Sequence, residues 1–111
     1  MTYERFDVVV VPFPFTDSSS SKRRPAVVIS HGTAFNAPAG HSVMAMITSA
    51  GNATWPLDRA IQDLSAAGLR APSMVRMKLF NLDHRFVLRR AGKLSQRDGK
   101  AVAAALKTLL G

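Results

Sequence analysis

Four consecutive valines at residues 8–11 follow Asp7 and run straight into Pro12-Phe13-Pro14-Phe15. β-Branched side chains are stiff at χ1 and pack best on a pleated surface, so this run belongs in a strand. It does not alternate between apolar and polar positions, which suits a strand covered on both faces. The two prolines, two residues apart, then allow only a strand end or a sheet edge, because neither can donate to a ladder. The rest of the chain has to be read as further strands of that sheet, or as what covers it.

Residues 16–24 are polar, with four consecutive serines at 18–21. They read as a loop of roughly nine residues, longer than most hairpin connections and of the kind in which ligands are handled. Residues 26–29 return to β-branched and apolar types and predict a second strand. Residues 31–40 hold two Gly, a Pro and an Asn and read as a second loop. Residues 42–48 predict a third strand, with Val43, Ala45 and Ile47 on one face and Met44 and Met46 on the other. Residues 50–56 are rich in turn formers. In residues 58–68, Ile61, Leu64 and Ala67 recur at helical spacing and Gly68 fits the position after a helix end, so a short helix is expected. Pro72-Ser73 introduces a strand at residues 74–77, and another is expected around residues 86–90.

The last element is the clearest. Ser95 is an N-cap with Asp98 three positions on, a variant of the capping box. Val102, Leu106, Leu109 and Leu110 form one apolar stripe, with Lys100 and Lys107 toward solvent. Several short strands followed by a helix predict a mainly β, α+β chain: a small antiparallel barrel or sheet with helices packed on it. No internal repeat is visible, and residues 1–111 read as a single domain.

Composition narrows the function. The chain has no cysteine, which excludes disulfides and thiolate metal sites. Glu4 and Asp7 stand where a secretory leader would be cationic, and the valine run is too short to cross a bilayer. A cytoplasmic protein with no membrane partner is expected. Fifteen Lys and Arg against seven Asp and Glu give a net charge of +8, a field that concentrates polyanions. Most of the bases lie from Arg70 onward, with Arg89, Arg90 and Lys93 close together.

His31, His41 and His84 are scattered through separate segments, and the acids are spread singly, so neither a zinc site nor a two-metal nuclease centre is expected. Chemistry would have to run on cations, hydroxyls and backbone donors. Two stretches supply them. Lys22-Arg23-Arg24-Pro25 places an arginine before a proline, which biases Arg24 to an extended conformation at the start of the second strand. Its guanidinium matches the paired oxygens of a phosphate. Thr48-Ser49 offers two hydroxyls at the end of the third strand. Tyr3, Trp55 and the phenylalanines are the residues able to stack on bases, and Phe13 and Phe15 lie nearest the serine loop.

These segments resemble the MazF/PemK-type toxins. The opening, Asp7-Val8-Val9-Val10-Val11-Pro12-Phe13-Pro14-Phe15-Thr16-Asp17, is the most specific part, together with Lys22-Arg23-Arg24-Pro25-Ala26-Val27-Val28-Ile29-Ser30. The likeness continues through Ile47-Thr48-Ser49, Ala67-Gly68-Leu69, Pro72-Ser73, Arg76 and the stretch leading to Gly92-Lys93-Leu94-Ser95. Phe6 departs from the pattern, since relatives usually carry glycine before the aspartate. The serine loop departs too, where relatives often carry glycine.

The resemblance implies a partly closed antiparallel barrel of the SH3 type with a C-terminal helix and one short helix, working as a homodimer. It implies a toxin that cleaves single-stranded RNA, messenger RNA foremost, in a sequence-specific way without metal or other cofactor. The RNA's own 2′-hydroxyl is then the nucleophile, leaving 2′,3′-cyclic phosphate and 5′-hydroxyl ends. Arg24 would stabilise the phosphorane and Thr48 would align the attack, with Ser49 as a further catalytic candidate. Lys22, Arg23, Phe13, Phe15 and Arg76 would contact RNA. An antitoxin with an acidic, flexible tail would be the protein partner. The alternatives are a gyrase-poisoning toxin of the CcdB type on the same scaffold and a non-catalytic RNA-binding module.

Overall fold

The computed structural model describes residues 2–13 and 22–111. Six strands form one sheet in the order β4-β5-β3-β2-β1-β6: β1 (Asp7–Phe13), β2 (Lys22–Val28), β3 (His41–Ser49), β4 (Arg59–Ala60), β5 (Ser73–Asp83) and β6 (Arg89–Lys93). Every pairing is antiparallel. Short helices α1 (Ala37–Ala39) and α2 (Leu64–Ala67) lie between strands, and α3 (Gln96–Leu110) is the last element.

The valine run is covered on both faces, as its pattern predicts. Val8 packs with Val27, Ala45, Ile47, Val75, Val102 and Leu106 beneath α3. Val9 and Val11 pack with Ala26, Val28, Met44 and Leu82 on the opposite face. The first proline lies inside β1, one residue before its end: Pro12 stands opposite Arg23 on β2. It is tolerated because β6 pairs only with residues 7–10, so β1 is already an edge on that side. Pro14, Phe15 and the serine run fall outside the described residues.

The sheet curls until its two edges meet. Helix α2 follows β4 at one edge, yet it packs against β6 at the other. At Gly92 on β6 an added Cβ would lie 2.4 Å from the Ala66 carbonyl oxygen, an approach that only glycine allows. Gly68 has φ +73, the left-handed helix end expected at that position. Asp98 ties the same seam from α3. It is buried, and its carboxylate accepts from the Gln62 and Asp63 amides at 3.0–3.1 Å. The result is a six-stranded half-barrel closed by helices, the expected fold class.

Several local expectations change. The second strand begins at Lys22, four residues earlier than its apolar stretch, because β1 reaches far enough to pair with the basic residues. Residues 58–68 split into β4 and the four-residue α2, since Ile61 is needed in the core beside Val75 and not on a helix face. The strand at 74–77 grows into the eleven-residue β5. The strand around Phe86 begins only at Arg89, after a 3-10 turn at His84–Phe86. The second loop holds a π-helical turn, Gly32–Asn36, running into α1. Its buried Asn36 donates to the Tyr3 and Ser30 carbonyls.

Ser95 does cap α3, accepting from the Asp98 amide. The Asp98 carboxylate, however, leaves the capping box for the Gln62–Asp63 amides. Of the apolar stripe only Val102 and Leu106 are buried; Leu109 and Leu110 are exposed.

Phe6 has φ +74. Backbone bonds hold it there: its N–H donates to the Val28 carbonyl and its carbonyl accepts from Leu94. Its ring lies against Gly99 of α3, and that packing offsets part of the left-handed strain.

Candidate active site

Strands β2 and β3 pair only from Ala26↔Met46 to Val28↔Met44, although both continue well past that point. Pro25, which has no N–H to donate, stands where they part. Continuing the register by two residues sets Arg24 across from Thr48, on the same face of the sheet. The gap between the diverging strands is a cavity of about 210 Å³, lined by Phe13, Arg24, Met46, Ile47, Thr48, Asn52, Trp55, Arg76 and Lys78.

The sequence-derived candidates separate clearly. Arg24, Thr48, Phe13 and Arg76 share this cavity. Ser49, the next residue along β3, is exposed and outside the lining, with its hydroxyl accepting from the Gly51 amide. Lys22 is on Arg24's face but farther out along the strand and exposed. Arg23, one residue away, projects from the other face by strand alternation. Phe15 lies outside the described residues.

The two arginines of the cavity are in opposite states. Arg24 is exposed and has neither an ion pair nor a side-chain hydrogen bond among the described residues. Arg76 is fully engaged. Its Nη2 is 3.0 Å from Asp58 Oδ2, its Nε donates to Asp58 Oδ1 at 3.3 Å, and Nη2 also donates to the Ala53 carbonyl. The Arg76 side chain is 12% exposed and that of Asp58 only 3%. Burial works to raise the Asp58 pKa, but the Arg76 fork and the Trp55 amide outweigh it and hold the carboxyl below its usual value. Arg76 therefore fastens the loop of residues 50–58 to β5.

Sequence reasoning passed over two lining residues. Asn52 Nδ2 donates to Thr48 Oγ1 at 2.6 Å, fixing the hydroxyl that faces the cavity. Lys78 lies 5.1 Å from the Phe13 ring centroid and adds a third cation. Asn52 sits in a turn, where asparagine is common for backbone reasons alone. Lys78 is one of many bases, and only the β3–β5 pairing, with its irregularity at Ala45/Met46, brings it here.

The described lining thus has three bases, no acid and no histidine. Among the described residues no group of histidines and acids could hold a metal ion. An arginine keeps its proton throughout the neutral range, so the lining supplies charge and orientation to an anion. Elsewhere the basic surface is partly neutralised: Arg90 and Lys93 pair with Asp7 at 3.2 and 3.6 Å. His84 bonds the buried Ser42 hydroxyl at 2.7 Å and packs edge-on to Tyr3, a packing role.

The described residues thus form a small, mainly β protein: a curled antiparallel half-barrel with a cationic cavity at its strand divergence. Residues 4–110 match the model of the PemK-like, MazF-like toxins of type II toxin–antitoxin systems, and the chain belongs to that family. No curated protein matches it by sequence. The fold is similar to that in the MazE-MazF crystal structure from Deinococcus radiodurans, with a TM-score of 0.77 and 21% identity over 100% of this chain and 98% of that one. It is also similar to an endoribonuclease in complex with its cognate antitoxin from a mycobacterial species (TM-score 0.74, 16% identity, 98% and 93% covered). The Mycobacterium tuberculosis toxin MazF-mt6 gives a TM-score of 0.71 and 17% identity, with 94% and 95% covered. Among the described residues no helix is long and apolar enough to cross a membrane.

Proposed function

We propose that this toxin is a sequence-specific, metal-independent endoribonuclease acting on single-stranded RNA and arresting translation. The observation that carries the reading is Arg24, without an ion pair among the described residues, set in register across from Thr48 in a cavity whose described lining holds no acid. A guanidinium in such a place can meet developing negative charge on a phosphate. With the substrate's 2′-hydroxyl attacking its own phosphate, the O2′–P bond forms as the P–O5′ bond breaks. This gives a 2′,3′-cyclic phosphate and a 5′-hydroxyl. Arg24 holds the nonbridging oxygens as charge builds, and Thr48, fixed by Asn52, orients the phosphate. Lys78 and Lys22 extend the positive track along the backbone. The 2′-hydroxyl proton passes to water and the departing 5′-oxygen takes one from water, since none of these side chains is a base near neutrality.

The same reading includes a cytoplasmic homodimer, whose second copy deepens a shallow cavity, and an antitoxin whose acidic flexible tail covers the cations. The complexes named for the structural neighbours support the antitoxin part. The test is incubation of the purified protein with structureless RNA in EDTA, followed by mapping of the new ends. Cleavage with cyclic phosphate and 5′-hydroxyl termini is expected. Intact RNA together with stalled DNA gyrase would favour the CcdB-type alternative instead.

A further inference from the structure

Trp55 is the chain's one tryptophan, and it is 43% exposed on the lining of the cavity. An indole left in water forgoes the burial that usually places it inside. Here it is held out deliberately. Its backbone N–H donates to Asp58 Oδ2 at 2.8 Å, its carbonyl accepts from the Asp58 amide, and the Arg76 guanidinium lies 4.8 Å from its ring centroid. Arg76 and Asp58 are themselves nearly buried, so the ring is backed from the protein side. Two charged residues and a loop are committed to fixing one aromatic surface on the lining of the cationic cavity.

We infer that Trp55 is a base-stacking platform, taking the nucleobase of a nucleotide that flanks the scissile phosphate held by Arg24 and Thr48. The inference rests on the endoribonuclease reading and adds to it the residue that engages a base. The chemistry favours a nucleobase over other ligands. The cations of the lining satisfy a phosphate, and the adjoining flat π surface is complementary to the flat face of the attached base. Cation–π contact with Arg76 fixes the ring's attitude before RNA arrives, so little ordering entropy remains to be lost on binding. Asp58 and Arg76 are positioning residues in this scheme and touch no base.

Because Trp55 is the single tryptophan, emission excited beyond the tyrosine absorption band reports on it alone. The wild-type protein is titrated with a randomised single-stranded RNA ten-mer carrying 2′-fluoro riboses, which lack the nucleophile. A parallel titration uses an abasic ten-mer with the same phosphates. Quenching by the base-bearing RNA and not by the abasic strand is expected. Affinities of the variants, which lack the tryptophan, are read from the polarisation of dye-labelled strands, and base stacking implies roughly 5- to 150-fold weaker binding of the base-bearing RNA to Trp55→Ala. The abasic strand should bind both proteins alike, and Trp55→Phe should recover part of the loss. On unmodified RNA, Trp55→Ala should raise KM far more than it lowers kcat. Equal affinity of wild type and Trp55→Ala for base-bearing RNA, or equal quenching by both strands, overturns the platform. If Trp55→Ala also cleaves at the wild-type KM, the platform fails while the nuclease reading stands. Quenching without cleavage of unmodified RNA has the reverse meaning, and absence of binding to either strand removes both.

Discussion

Arg24→Ala and Arg76→Ala remove the same side chain from the same cavity and should fail in different ways. Arg24 has no partner among the described residues and lies exposed, so its loss should change stability by no more than about 0.5 kcal/mol. Removing a donor aimed at developing charge costs catalysis about 10²- to 10³-fold, and that loss should fall on kcat. Arg76 is joined to a carboxylate whose side chain is 3% exposed. Stranding one member of a buried pair costs about 3–5 kcal/mol. The slight exposure of Arg76 and the surviving Trp55 amide bond to Asp58 reduce that to about 2–4 kcal/mol. At about 4 °C per kcal/mol for a domain of this size, Tm should fall by roughly 8–16 °C. The assay pairs thermal unfolding with cleavage of a fluorogenic single-stranded RNA in EDTA, at a temperature where both variants are folded. Arg24→Ala should melt with wild type and be almost inert; Arg76→Ala should melt early and keep a kcat within about tenfold of wild type. A wild-type melting curve for Arg76→Ala combined with the activity loss of Arg24→Ala would refute the division of labour.

Three further outcomes follow from the same geometry. The Asp58 pKa is held below its ordinary 3.8, so the latch is intact above the unfolded value and is lost only as pH falls below about 4. Trp55 emission should therefore shift in that acid window; a transition at pH 5–6 would rule this cause out. Asp98→Ala strands the Gln62 and Asp63 amides and should cost about 2–3 kcal/mol. Amide exchange should speed at those two residues, with kcat unchanged for the folded fraction, and unchanged exchange would sink the argument. Phe6→Gly relieves a left-handed φ of +74 but loses ring packing, a net cost of about 1 kcal/mol. Adding Gly99→Ala should recover stability, because the Cβ that would meet the Phe6 ring at 3.0 Å then has room. Gly99→Ala alone should destabilise, and additive effects in urea melts would contradict the contact.

The parts of the fold legible in the sequence are those set by local rules. The valine run reports two covered faces, Gly68 reports a left-handed helix end, and Ser95 reports a cap, each because the cause lies within a few residues. What was missed depends on distant partners. Residues 58–68 carry helical spacing, yet Ile61 is claimed by the core and the segment splits. Asp98 sits where a capping box would use it, yet unsatisfied amides on another element take its carboxylate. Leu109 and Leu110 continue the stripe yet stay exposed. In the site, Arg24-Pro25 and Thr48 are visible because residue type and neighbour announce them. Asn52, Lys78 and the occupied state of Arg76 are not, since each depends on what β5 and the loop before β4 bring alongside.

That Arg24 stands across from Thr48 is a consequence of register, and register here is fixed by hydrophobic pattern and not by the site. Val27 and Ala45 must face the α3 side, while Ala26, Val28 and Met44 must face the other. A slip of one residue would turn every one of these the wrong way. The same slip would send Arg24 to the face now taken by Arg23 and present Arg23 to the cavity. The core residues two to four positions away thus decide which of two adjacent arginines meets the substrate. The site can tolerate few internal contacts among the described residues, with one tethered hydroxyl beside the guanidinium, because its geometry is imposed from the buried half of the same two strands.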